Sequence, residues 1–175
     1  MAHREQQDFC KNMRTLYPLH FRNCRVLDVG SLDLNGSNRP LFERCQYTGI
    51  DIAPGPNVDV VSLGHQYSGK FDTIISTECF EHDTYYALTI TNIVQMLVSG
   101  GLFLFTCAGL KRPEHETPEA SPRDSPLTVL AWPEYYKNLC VHDIISVMNC
   151  DKVFTDYRFE TARGGADLFF CGIKA

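Results

Sequence analysis

Glu78, Glu81 and His82 fall within one five-residue stretch of the chain. On a helical turn, positions i, i+3 and i+4 share a face, so two carboxylates and an imidazole would converge on one point. His115, in Lys111-Arg112-Pro113-Glu114-His115-Glu116, offers a second imidazole. Oxygen and imidazole donors suit Mg²⁺, Mn²⁺ or Zn²⁺, and His82 or His115 alone can serve as a general base. The plainer use of these residues is to start a helix, with Glu81 favoured by the helix dipole and His82 capping or packing. A second group lies upstream. Val26-Leu27-Asp28-Val29-Gly30-Ser31 closes a strand-like run, and Asp51 closes the next, 21 positions after Gly30. An acidic residue there can accept hydrogen bonds from both ribose hydroxyls of an adenosine ligand. Gly30 lets the backbone approach that ligand without a side-chain clash. A dinucleotide G-x-G-x-x-G would need glycines at 32 and 35, which are Leu32 and Asn35. The alternative is a buried strand ending in an ordinary glycine turn.

Elements must hold these groups in place. Strand-like runs cover 25–30, 47–52, 58–61, 71–77 and 102–107, the last entered through Gly100-Gly101. The first, fourth and fifth are continuously apolar, which suits a parallel sheet covered on both faces. Helices are expected over 5–17, ending before Pro18, over 38–45, over 84–99 and over 141–149. In the third of these, Tyr86, Ile90, Ile93, Val94 and Leu97 share a face, Asp83 is the expected N-cap and Gly100 the expected stop. Runs at 153–160 and 167–174, joined by the glycine-rich 161–166, read as a terminal antiparallel hairpin. Nine residues, 62–70, separate the third and fourth strands. They span at most ~30 Å when extended, so the usual crossover helix must be absent or reduced to a turn. Residues 109–133 hold five of the nine prolines and follow the fifth strand. Ligands of open α/β sheets bind outside the carboxyl ends of strands, so this loop is a candidate substrate lid.

The chain has 175 residues, 44% of them hydrophobic and 21% charged, which is globular composition. That length suits one domain over 1–175, with an N-terminal helical segment over 1–20. The net charge is −5 and the basic residues are scattered, which argues against a nucleic-acid partner. No apolar run reaches the ~18–20 residues of a membrane span, and the polar N-terminus lacks the apolar centre of a signal peptide. A cytoplasmic protein is expected. None of the eight cysteines forms a C-x-x-C pair. They read as buried reduced thiols rather than a zinc knuckle. His65 and His142 read as surface or capping residues.

The chain resembles the class I S-adenosylmethionine-dependent methyltransferases, in particular their small type 11/12 branch. The resemblance rests on Val26-Leu27-Asp28-Val29-Gly30, Gly49-Ile50-Asp51, and Phe71-Asp72-Thr73-Ile74-Ile75 followed by Glu81-His82. It continues in Leu97-Val98-Ser99-Gly100-Gly101-Leu102-Phe103 and Asp167-Leu168-Phe169-Phe170. It implies an α/β, three-layer Rossmann-like methyltransferase fold with a seven-stranded sheet of order 3-2-1-4-5-7-6, strand seven antiparallel. It also implies the methionine moiety of S-adenosylmethionine over Asp28, Gly30 and Ser31, the ribose on Asp51 and the adenine against Ile52. Thr77 joins this cofactor set. The family often has an acidic residue after strand three for the adenine amine; here the region reads Ser62-Leu63-Gly64, and Ser62 or a backbone group takes that place. The glycine-rich turn is also altered, keeping Gly30 in a longer loop through Gly36. The Glu78, Glu81, His82 and His115 set is similar to the metal site of the small-RNA 3′-end 2′-O-methyltransferases and the ubiquinone-pathway catechol O-methyltransferases. There a Mg²⁺- or Mn²⁺-type cation acidifies a hydroxyl.

The expected activity is methyl transfer to an oxygen, and in second place a nitrogen, of a small-molecule or carbohydrate-like acceptor. Arg112, Tyr135 and Tyr136 are expected to line the acceptor pocket, although the two tyrosines could equally be packing aromatics. Two rivals stand beside it: an RNA 3′-end 2′-O-methyltransferase on the same metal site, and a non-catalytic cofactor-binding regulator.

Overall fold

The computed structural model describes residues 3–115, 117, 120, 131–132 and 135–175. β1 (Arg25–Val29), β2 (Gln46–Asp51), β3 (Val60–Val61), β4 (Phe71–Thr77), β5 (Leu97–Ala108), β6 (Phe154–Ala162) and β7 (Asp167–Lys174) form one sheet. Its order is β3-β2-β1-β4-β5-β7-β6. Pairing is parallel from β3 across to β5, and β7 runs antiparallel to both β5 and β6. This is the order that the family resemblance implies.

Alternate residues of the strands feed two cores. Leu27, Val29, Ile74, Phe103, Phe105 and Phe170 face one. Val26, Ile75, Leu102, Leu104 and Phe169 face the other. α1 (Arg4–Leu16) covers the second core with Phe9, Cys10 and Met13. α2 (Tyr86–Met96) and α3 (Val141–Val147) cover the first with Ile90, Ile93 and Ile144. Burial on both faces is why these strands read as unbroken apolar runs rather than as alternating ones.

Several connections depart from expectation. The helix expected over 38–45 is one 3₁₀ turn, Arg39–Leu41. Phe42 leaves it in extended geometry and stacks on Phe21 at 4.6 Å, and Glu43 bridges to Arg22. Aromatic burial and an isolated bridge thus replace the second helical turn. α2 ends at Met96, and Leu97 already opens β5, so Gly100 does not stop the helix. Lys174 Nζ donates to the carbonyls of Val94 and Leu97, both at 2.7 Å, and Lys70 Nζ to that of Gln95 at 2.8 Å. Cations on the last carbonyls do the work expected of the glycine. Gly100, at φ +73, instead bends β5 where its register with β4 shifts. Asp83 does not cap α2 at its N-cap, which is Tyr85. It accepts from the Tyr85 N–H at 2.7 Å and the Thr89 hydroxyl at 2.6 Å. The helix expected over 141–149 divides into α3 and a one-turn α4 (Cys150–Val153), because Met148 and Asn149 are extended.

Residues 62–70 carry turns and no helix, as their length requires. All eight cysteines are thiols. No helix among the described residues is long and apolar enough to cross a membrane. Most of the lid expected over 109–133 lies outside the described residues.

Phe170 is fully buried, with ring contacts to Phe103, Phe105, Phe154, Tyr157 and Phe159. Phe170→Ala should cost about 3–5 kcal/mol in urea unfolding. Leu19→Ala, at a position 84% exposed, should stay within about 0.5 kcal/mol of the parent.

Candidate active site

The carboxyl ends of β1, β2 and β4 bring the expected cofactor residues together. Asp28 is buried on the α1 side of the sheet and accepts the Tyr47 hydroxyl. Burial pushes its carboxyl up to about 7, against the pull of that hydrogen bond. Gly30 turns the chain at φ +77, and a Cβ there would lie 2.5 Å from the Cys79 sulfur. Only glycine fits both the turn and this approach. The amides of Gly30 and Ser31 both donate to the Ile50 carbonyl, at 3.0 and 3.1 Å. Asn57 clasps Ser31: its Nδ2 donates to the Ser31 carbonyl at 2.8 Å, and the Ser31 hydroxyl donates to the Asn57 carbonyl at 3.2 Å.

Asp51 holds the altered glycine loop. Its Oδ2 accepts the Leu32 amide at 3.0 Å and its Oδ1 the Ile52 amide at 2.8 Å. Burial raises its carboxyl even so. Ser62 donates its amide to the Asp51 carbonyl at 2.9 Å, while its hydroxyl turns to the Leu63 carbonyl. The Thr77 hydroxyl accepts from Asn38 Nδ2 at 3.1 Å.

Beyond β4 the chain does not form the helical turn expected of 78–82. Glu78 has φ +51, and its carboxyl is not part of the group formed by Glu81, His82 and His115. Glu78 Oε1 accepts from the Thr106 hydroxyl at 3.0 Å, and Oε2 lies 3.4 Å from His3 and 3.5 Å from Arg112. Burial pushes its carboxyl up, but His3 and Arg112 outweigh this and hold it below the ordinary value. Arg112 also pairs with Asp167 at 2.5 Å, and Arg163 joins Asp167 at 2.6 Å. Glu78 and Arg112 therefore belong to one ion-pair network that ties α1, β4 and β7 together. Glu78, expected with the metal ligands, thus lies outside the cluster that Glu81, His82 and His115 form, and Arg112, expected at the acceptor, is engaged in this network.

Glu81, His82 and His115 do converge. One donor atom from each lies within 4.8 Å of the others. Tyr136 completes the group, its hydroxyl 2.9 Å from His115 Nδ1 and its ring 5.4 Å from that of His82. Glu81 Oε1 accepts the Ala108 amide at 3.0 Å, while buried Oε2 meets no hydrogen-bond donor among the described residues. Burial first, and then the Glu78 charge, push the Glu81 carboxyl up to about 7. Tyr135 lies apart, beside Lys137 and Tyr86, its phenol raised by burial. The His65 ring packs at a tilt against Tyr85 at 4.6 Å, and Tyr85 meets the Trp132 ring edge-on at 6.0 Å. His142 is exposed.

Sequence reasoning missed four residues. Trp132 donates its indole N–H to the His82 carbonyl. His3 reaches Glu78 from the N-cap of α1. Gln6 and Asn38 form a buried amide pair, Gln6 Nε2 to Asn38 Oδ1 at 3.4 Å. The signal for Gln6 was present: it sits at the head of the buried stripe 6, 9, 10, 13, the one strongly polar residue on that face.

A family model described as a methyltransferase domain matches residues 1–138. The chain belongs to this family of S-adenosylmethionine-dependent methyltransferases, and its sheet order is that of their class I fold. No curated protein matches it. Among solved structures it is similar to the Burkholderia thailandensis 1,6-didemethyltoxoflavin-N1-methyltransferase, bound to 1,6-didemethyltoxoflavin and S-adenosylhomocysteine. That match has 14% identity and a TM-score of 0.66, and covers 97% of this chain and 78% of that one. An Archaeoglobus fulgidus SAM-dependent methyltransferase matches at 14% identity and TM-score 0.62, covering 97% and 94%. The Haemonchus contortus phosphoethanolamine N-methyltransferase 2, in complex with S-adenosyl-L-methionine, matches at 15% and 0.61; the alignment covers 93% of this chain and 52% of that one.

Asp28 titrates near 7 in the folded chain, against an ordinary 3.8. The folded state therefore keeps a proton that the unfolded state releases, and this group's contribution to stability falls as pH rises from about 4 to about 7. Asp28→Asn should gain stability relative to the parent across that window and hold the gain above it. Urea unfolding at stepped pH reads the difference.

Proposed function

We propose that the chain transfers a methyl group from S-adenosylmethionine to an oxygen of a small polar or carbohydrate-like acceptor held beside Glu81, His82, His115 and Tyr136. The observation that carries this reading is the meeting of a buried carboxylate and two imidazoles within 4.8 Å. The cluster adjoins the Gly30 turn through Cys79, three residues before His82 in the chain.

In this reading Asp28, Gly30, Ser31, Asp51, Ile52, Ser62 and Thr77 hold the cofactor, which supplies an electrophilic methyl on a sulfonium. Each oxygen of Asp51 accepts one amide, which leaves lone pairs for the ribose hydroxyls. The acceptor oxygen bonds the methyl carbon as the sulfur–carbon bond breaks and its electron pair returns to sulfur. The hydroxyl proton passes to His82 or His115. The near-neutral Glu81 carboxyl beside the imidazoles suits proton exchange near pH 7. Positioning supplies much of the acceleration, up to about 7–11 kcal/mol for well-aligned reactants. A tyrosine, two histidines and the edge of Trp132 favour an acceptor that presents both hydroxyls and a ring face.

The donor set also fits a divalent cation. Glu81, His82 and His115 would hold it, and two imidazoles with one carboxylate suit Mn²⁺ or Zn²⁺ better than Mg²⁺. Such an ion would lower the pKa of the acceptor hydroxyl. A second reading is a cofactor-binding regulator without turnover. It draws support from the Leu32 amide on Asp51, which draws the loop in against the ribose side of the site.

Calorimetric titration of S-adenosylhomocysteine should give micromolar binding, weakened at least about tenfold by Asp51→Ala and unchanged by His115→Ala. Methyl transfer to a panel of hydroxylated acceptors should fall about 10²–10⁴-fold in His82→Ala or His115→Ala. Binding without transfer to any acceptor would favour the regulator, and absence of binding at millimolar ligand would overturn both readings.

A further inference from the structure

Cys24 and Cys45 stand 21 positions apart in the chain and meet in space, their sulfurs 3.4 Å from each other. Each lies one residue before a strand, Cys24 before β1 and Cys45 before β2. These strands pair in parallel with Arg25 opposite Gln46. Carried back one residue, that register sets the two cysteines opposite one another. Backbone hydrogen bonds hold it on both sides. The Asn23 amide donates to the Glu43 carbonyl at 3.0 Å, and the Gln46 amide to the Cys24 carbonyl at 2.9 Å. Asn23 and Arg44, each immediately before a cysteine, are left-handed at φ +52 and +53. The two segments thus make the same bend at the same level.

Neighbouring strands run about 4.8 Å apart, inside the ~4.4–6.8 Å Cα separation that a disulfide spans. Bringing the sulfurs to bonding distance then asks for side-chain rotation on a backbone already at the right spacing. Access separates this pair from the other cysteines. Cys10, Cys107, Cys150 and Cys171 are buried. Cys79 packs against the Gly30 turn, and Cys140 caps α3. Cys24 and Cys45 are half-buried, and the residues before and after each of them are exposed. They are not the buried thiols expected from the sequence.

We propose that Cys24 and Cys45 form a reversible intrachain disulfide, a covalent tie between the amino ends of β1 and β2 installed by exchange with a low-molecular-weight disulfide. The exchange runs in two steps. The thiolate of one cysteine attacks a sulfur of oxidised glutathione, forms a mixed disulfide and expels one glutathione thiolate. The sulfur of the other cysteine then attacks the protein sulfur, and the second glutathione leaves. Two cysteine thiols are oxidised by two electrons in total, and one glutathione disulfide is reduced to two thiols. The two thiol protons pass to the departing glutathione sulfurs. Burial, and then Cys45, push the Cys24 thiol up to about 12, so exchange quickens as pH rises. The bond sits at the opposite end of β1 and β2 from Gly30 and Asp51, so it ties the frame of the sheet and does not depend on methyl transfer. Closing a loop of this length restricts the unfolded chain and so stabilises the folded one.

The test treats the full-length chain with oxidised glutathione at mildly alkaline pH, blocks the remaining thiols with iodoacetamide and digests with trypsin. Mass spectrometry should recover the peptides 23–25 and 45–70 joined, and dithiothreitol should separate them. The oxidised chain should melt roughly 5–10 °C above the reduced one. Cys24→Ser and Cys45→Ser should each remove both the joined peptide and the shift. The peptide readout on the parent chain serves if either variant does not fold. Glutathione retained on either cysteine without joined peptides, either cysteine joined to a different one, or a joined chain that melts no higher than the reduced one would overturn the proposal.

Discussion

Asp28, Glu78, Glu81 and Asp167 are buried and Asp51 is half-buried along one edge of a single sheet, and the treatment of each carboxylate shapes the surrounding structure. Taking an ionised carboxyl out of water is costly unless donors or cations replace the water. Glu78 receives the fullest replacement, from Thr106, His3 and Arg112. Asp51 receives two backbone amides. Asp28, Glu78 and Glu81 each keep one oxygen without a hydrogen-bond donor among the described residues, but His3 and Arg112 hold the Glu78 carboxyl down, whereas those of Asp28 and Glu81 are pushed up to about 7. Glu78 and Asp51 hold loops and helices to the sheet, and Asp28, Asp51 and Glu81 are the carboxylates proposed to face the cofactor and the acceptor.

The reduced connections follow from the same edge. With no helix between β3 and β4, and one 3₁₀ turn between β1 and β2, the carboxyl edge is served by loops held through side chains. Asn57, Arg39 and Asp59 supply much of that hold. Arg39 bonds Asn57 Oδ1 at 2.6 Å and packs over the Tyr47 ring at 4.4 Å, and Asp59 accepts the Gly49 amide at 2.7 Å. Packed helices would fix these loops by burial. Here polar contacts fix them instead, and such contacts can be exchanged for contacts to a ligand at lower cost.

The sheet was legible because its signals are local. Apolar runs mark β1, β4 and β5, and a glycine-rich link between two runs marks the β6–β7 hairpin. The places of Asp51 and Gly30 at strand ends were legible for the same reason, each lying at the end of such a run. The end of α2 was not, because it depends on Lys174 and Lys70, far away in the chain. The Glu78 side chain was misplaced because the i, i+3, i+4 argument assumes a helical turn, whereas the chain leaves β4 through a left-handed residue. Arg112 carries no mark in the sequence of its partner Asp167, 55 positions away. Gln6 did carry a mark, a polar side chain at the head of an apolar stripe, but its partner Asn38, 32 positions away, did not.

Hydrogen exchange measured by mass spectrometry, with and without saturating S-adenosylhomocysteine, tests the assignment of this edge most directly. Ligand at the proposed site should slow exchange in the first turns of α1, in residues 28–38 and in residues 51–57, with the outer face of α3 unaffected. Exchange that stays unchanged at saturation, or that slows only around α2 and α3, would contradict a cofactor site at the ends of β1 and β2.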